Sequence, residues 1–149
     1  MNLDFKVYQR DGRAEKMLYG RSKQWNATVQ KLQSNAISLQ DFVNANEKKI
    51  LYYSTPFVEN ERGQHPNVLR TSDKETMFFP AFTDLADLKA HMAMIGCIRY
   101  PVIKGNLKGV LDSLDAHPLL RSWGVVVDPQ AEAPVELPPL LRVQPRCLR

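Results

Sequence analysis

Residues 76–88 read TMFFPAFTDLADL, and this run decides what kind of domain the chain forms. Its first half, Thr76 to Phe82, is strand chemistry, since aromatic side chains suit a pleated, half-buried surface. Its second half is a helix start. Thr83 or Asp84 offers an oxygen to the free N–H groups of a first turn, and Leu85, Leu88, Met92 and Ile95 then recur at i, i+3, i+7 and i+10. The spacing predicts a helix over 84–95 that ends at Gly96. Pro80 cannot donate to a ladder, so strand pairing is expected to stop there, at an edge, a bulge or the strand's end. No obvious catalytic side chain sits on this seam.

Downstream the alternation continues. Residues 97–103, CIRYPVI, read as a strand with a second internal proline, Pro101. Gly105-Asn106 then opens a helix over 107–114, whose Leu107, Val110, Leu111 and Leu114 make an apolar stripe. His117-Pro118 closes it. Residues 123–127, WGVVV, are a continuous apolar run, the pattern of a strand covered on both faces. Beyond Asp128, five of the ten prolines fall between 129 and 145. That tail is expected to build neither helix nor sheet.

Upstream, residues 49–54 carry a strand that breaks at Thr55-Pro56. Residues 58–66, VENERGQHP, have no periodicity and read as an exposed connection. A short strand over 68–71 and a turn at 72–75 lead as a hairpin into the 76–82 strand. Before these, residues 14–34 place Leu18, Trp25, Val29 and Leu32 on one side of an amphipathic helix, and residues 38–46 form a shorter one with Ser38 as cap and Asp41 in the capping-box position. The expected architecture is α/β, α+β-like in having a mixed sheet. It has about five strands, two βα crossover helices and an N-terminal helical arm, with the strands flanking each helix running parallel. The divisions are an arm over 1–48, an α/β domain over 49–129 and a proline-rich tail over 130–149.

Composition limits function. A chain of 149 residues with 44% hydrophobic content suits one core. Its longest apolar runs fall far below the roughly 20 residues of a membrane helix, and its first residues lack the apolar centre of a signal peptide, so a cytoplasmic location is expected. The formal charge of +4 lies outside the central domain. Residues 1–50 hold nine Lys/Arg against five Asp/Glu, residues 51–128 eight against nine, and residues 129–149 three against two. In the first segment the basic residues are interrupted by Asp11, Glu15 and Glu47, so nucleic acid is not the expected partner. Cys97 reads as a core residue and Cys147 as an incidental tail thiol. His65, His91 and His117 stand 26 residues apart in turn. That spacing holds no metal, so each reads as an ordinary surface or interface histidine. With nucleophile-elbow, phosphate-loop and dinucleotide glycine patterns also missing, no metal, cofactor or catalytic set is assigned.

Two sets of side chains remain as candidates. Lys104, Gly105, Asn106 and Lys108 surround a helix start, where free N–H groups, close backbone approach and lysine charge could take a small anion; Asp84 weakens the corresponding site at the other helix. Trp25 on the arm, with Arg70 and Arg99 alternating out of apolar strands, could serve an interaction surface, although the arm's stripe could equally cover its own sheet. A second alternative is an enzyme of unknown class, drawing on Asp128, Tyr100 or His117 at the sheet edge, although nothing in their spacing requires that they meet.

The segments LYYSTPF, VLRTSDKETMFFPAFTDLADLKAH, IRYPVIKGNLKGVLDSL and WGVVVDP resemble the N-terminal domain of the bacterial SseB family, named for enhanced serine sensitivity. The signature is Pro80-Ala81-Phe82-Thr83 followed by Leu85 and Leu88. The resemblance covers residues 49–129 and implies a fold through core and capping residues. It implies no reaction. Fuller members carry a second domain that this chain does not show, and residues 1–48 do not align with the family pattern. The expected function is a non-enzymatic protein-interaction module that presents a sheet edge or helical face to a protein partner or a second copy. The alternative is small-anion binding at Lys104 to Lys108.

Overall fold

The computed structural model of the protein describes residues 24–70 and 76–139. Its helices are α1, with described residues 24–33, α2 (Leu39–Ala45), α3 (Leu85–Met94) and α4 (Leu107–Ala116). Its strands are β1 (Ile50–Tyr53), β2 (Phe57–Asn60), β3 (Gly63–Pro66), β4 (Leu69–Arg70), β5 (Met77–Ala81), β6 (Ile103–Asn106), β7 (Gly124–Val127) and β8 (Val135–Leu137). The mixture is α+β.

The seam folds as its residues dictate. β5 runs parallel to β7, with Phe78 opposite Gly124 and Ala81 opposite Val127. Asp84 then caps α3, its side chain accepting from the Ala86 N–H. Pro80 does not stop the pairing. It lies opposite Val126 on the β7 side, while the partner on the other edge of β5 changes. β4 pairs with Met77 and Phe78, and β1 meets Phe82 through two backbone bonds between Tyr52 and Phe82 of 2.7 and 2.9 Å. Backbone groups alternate sides along a strand, so the N–H that Pro80 lacks would point the same way as that of Phe82, into the gap between β4 and β1. The proline therefore occupies the one step of this edge that needs no donor.

Through that bridge, β6, β1, β5, β7 and β8 line up in that order. β1 is antiparallel to both β6 and the end of β5, so β5, β6 and β7 share one direction. The parallel sense expected of the strands around each helix holds. β1 lies between β5 and β6.

Pleat alternation sorts the side chains onto two faces. Leu51, Phe79, Ala81, Val125, Val127, Val135 and Leu137 pack with Trp25 and Val29 of α1, Phe42 and Val43 of α2, and the Leu107–Val110–Leu111–Leu114 stripe of α4. Phe82 packs on the opposite face with Leu88 and Met92 of α3, Val58 of β2 and Cys97. Gly124 is fixed by closeness: a Cβ there would lie 2.6 Å from the Phe78 ring and 2.7 Å from the Leu137 carbonyl oxygen.

Four further expectations change. Residues 58–66 are not a plain connection but most of the β2–β3 hairpin. Asn60 and Gly63 occupy the first and last positions of its turn, as a type I turn prefers, and the Asn60 side chain accepts from the Arg62 N–H. Only Val58 is buried along the two strands, so the pattern that betrays a strand is missing. The strand expected at 97–103 begins at Ile103. Residues 97–102 form a loop, because Pro101 cannot donate and Ile98 and Val102 find no apolar cover. The proline-rich tail does build sheet, since Val135–Leu137 pair with β7 and bury Val135 and Leu137 while Glu136 faces out. His91 is buried against Phe82, with ring centroids 5.3 Å apart, and is no surface residue. The 72–75 turn and the Leu18 end of the arm helix lie outside the described residues. The Ser38–Asp41 capping box forms as expected.

Candidate functional site

The helix start at Lys104 to Lys108 was the sequence's best ligand site, and its atoms are already engaged. Leu107 N–H donates to the Lys49 carbonyl at 3.0 Å, Lys108 N–H to the Glu47 carbonyl at 3.0 Å, and Gly109 N–H to the Asn106 side chain at 2.7 Å. An anion needs free donors, and these three are consumed, two by the chain that leads from α2 into β1 and one by the Asn106 side chain. Lys108 extends to Asp112 at 2.8 Å. That hydrogen bond and then its charge hold the amine above the usual lysine range. Lys104 is exposed. Asn106 is thus a helix cap. At the start of α3, burial and then the neighbouring Asp84 and Asp128 raise the Asp87 carboxyl above its ordinary value, a setting that repels anions.

Gly105 has a different role from close approach to a ligand. A Cβ on it would lie 2.5 Å from the Tyr53 hydroxyl and 3.3 Å from the ring. Tyr53 and Gly105 are diagonal neighbours across the β1–β6 pair, so the missing side chain makes room for the tyrosine.

The interaction candidates separate. Trp25 is buried in the main core, edge-on to Phe42 at 5.1 Å and beneath the Lys49 amine at 5.7 Å. It is engaged within the chain. Arg70 is exposed at the end of β4 and Arg99 in the 97–102 loop, and no contact between described residues joins them. Asp128, Tyr100 and His117 are not brought together either. Asp128 accepts from the Thr83 N–H at 2.9 Å and the Thr83 hydroxyl at 2.7 Å, tying the end of β7 to the seam. It does so from a left-handed backbone position, φ 53°, which aspartate tolerates better than most residues. Tyr100 packs on the α3 cluster, and His117 accepts from the Leu119 N–H just past α4.

Three features emerge that the sequence reading did not single out. The stretch from the end of α3 to β6 exposes Met94 (61%), Ile98 (88%), Val102 (46%) and Ile103 (36%). Beside Met94, an open groove of about 730 Å³ runs between the β2–β3 turn and the end of α3, lined by Asn60, Arg62, His65 and Ile95 among others. Asn60 holds the turn to that helix by donating to the Ile95 carbonyl at 2.9 Å. Finally, a cavity of about 200 Å³ opens between the sheet and α4 beside Tyr53. The exposed isoleucines and valine were visible as letters, but they read as strand residues and so as buried ones.

Among the described residues no group of three or more His, Cys, Asp or Glu side chains is placed to hold a metal ion, and no helix is long and apolar enough to cross a membrane. In comparisons with known proteins, no family model, no curated protein and no solved structure matches the chain.

Proposed function

We propose that the chain is a non-enzymatic protein-interaction module of SseB-like architecture, working in the cytoplasm. Its docking surface is the stretch from Met94 to Ile103. The observation that carries this is the exposure of four large apolar side chains on one short connection, Ile98 almost fully. Exposed apolar surface, where it gathers into a patch, marks sites where another protein is met. The groove beside Met94, with Arg62 and His65 on its wall, adds a polar border of the sort that rims such contacts.

Strand addition at a sheet edge is the less favoured form of the same idea. Leu107 N–H points to β1, so by alternation the outward backbone groups of β6 belong to Lys104 and Asn106, next to Pro101. β8 is three residues long between Pro134 and Pro138. Lysine, proline and shortness are the devices that blunt an edge. The side-chain surface is what remains.

The test is the double variant Ile98→Asp, Val102→Asp. Both side chains are exposed, so the fold and the melting temperature stay as in the parent. Sedimentation velocity at high concentration and quantitative affinity capture from the native cell are then compared between the two proteins. Loss of self-association, or of a defined captured partner, is the expected result. A parent that is strictly monomeric and captures the same proteins as the variant contradicts the proposal.

A further inference from the structure

The open cavity of about 200 Å³ lies between the sheet and α4. Tyr53 and Phe79 of the sheet, Val110 and Leu114 of α4, Leu120 and the exposed Ile103 line it. Apart from the Ser54 and Ser113 hydroxyls at its margin its walls are hydrocarbon or aromatic, and the Ser54 hydroxyl is already donated to the Pro101 carbonyl at 2.8 Å. The Tyr53 hydroxyl makes no hydrogen bond to a described residue. Its ring is fixed edge-on against Phe79, with centroids 6.0 Å apart, and by its seat over Gly105. The cavity is open to solvent on one side, and Ile103 in its lining is 36% exposed. A dry apolar cavity of about 150 Å³ suffices for benzene; this one has room for a ring and one substituent.

We infer that this cavity is a binding site for a small monocyclic aromatic molecule bearing one hydroxyl or other hydrogen-bond acceptor, with the ring between Phe79 and α4 and the polar group on the Tyr53 hydroxyl. Burial raises the Tyr53 pKa, so the hydroxyl keeps its proton and donates. Ile103 is both part of the exposed stretch and the rim of the cavity, which leaves the entrance on the surface. Gly105 is the positioning residue: any side chain there displaces the tyrosine.

The experiment is a titration of the full chain with phenol and with benzene, followed by the methyl resonances of Val110, Leu114 and Leu120. Saturable shifts of these methyls at millimolar phenol are expected, with benzene binding about five-fold more weakly, the worth of one neutral hydrogen bond. Tyr53→Phe should bind benzene as before and lose the preference for phenol; Gly105→Ala should weaken phenol in the same direction. Leu114→Phe fills the space and should abolish both. Should that variant fail to fold, the Tyr53→Phe comparison decides alone. Shifts that do not saturate in the parent, or equal binding of the two probes to it, overturn the inference.

Discussion

The two faces of the sheet are held very differently. On one, 17 buried side chains from α1, α2, α4, four strands and the turn before β7 form a continuous core; the other carries a separate cluster of five, drawn from α3, β2, Phe82 and Cys97. The first face has its helix starts stitched to the preceding chain, as at Leu107 and Lys108. The second ends in a loop that leaves Ile98 and Val102 outside. The contrast teaches that one face provides most of the stability while the other leaves apolar surface exposed, since regions with few buried apolar contacts open at lower free energy than the core.

The strongest way to break this comparison is to cut into each face. Phe79→Ala, in the large core, should cost about 4 kcal/mol and leave little folded protein, read by chemical denaturation. Met92→Ala, in the small cluster, should cost about 2–3 kcal/mol and act locally. In that variant the amides of α3 should exchange faster while those of α4 keep their protection. Equal effects on both helices would erase the distinction.

A tie between the faces is the next target. Asp128→Ala removes two hydrogen bonds to Thr83 and leaves an unfavourable residue at φ 53°. A loss of about 2 kcal/mol is expected in denaturant melts. Asp128→Asn, which tolerates that backbone and keeps one oxygen, should lose less.

pH separates the faces in another way. His91 lies in the small cluster, and burial lowers its pKa below the ordinary 6.5. The unfolded chain therefore takes up a proton more readily than the folded one. The neutral histidine's contribution is complete above pH 6.5 and is lost as the pH falls from there through the lowered folded value. His91→Leu should flatten this part of the stability curve; an unchanged slope would show that other groups cause it.

How much of this was legible follows from how local each signal is. The α3 stripe of Leu85, Leu88, Met92 and Ile95 reads correctly because one helix face is a matter of spacing alone, and the 123–127 run reads correctly because β7 is buried on both sides. The hairpin at 57–66 was hidden because its burial comes down to Val58, although Asn60 and Gly63 carried the turn. In the tail, the alternation of Val135, Glu136 and Leu137 was overshadowed by the surrounding prolines. At the candidate site, residues 104–108 announced a helix start, but the groups that fill it come from Glu47 and Lys49, some 60 residues earlier. The cavity gathers Tyr53, Phe79, Val110 and Leu120, and no pattern along the chain brings those together.

The smallest expected effect concerns the site that the sequence favoured. Asn106→Ala should cost about 1 kcal/mol as the loss of a helix cap, with no change in phosphate binding because the neighbouring N–H groups are taken. Millimolar phosphate that raises the parent's melting temperature, and fails to do so for this variant, would restore the anion reading.

The asymmetry itself is tested most directly by native-state hydrogen exchange on the parent protein, resolved amide by amide. The account predicts that Leu88 to Met94 of α3 exchange through a partial opening of lower free energy than Val110 to Leu114 of α4, which exchange only on global unfolding. Identical opening free energies for the two helices, both equal to the global value, would contradict it.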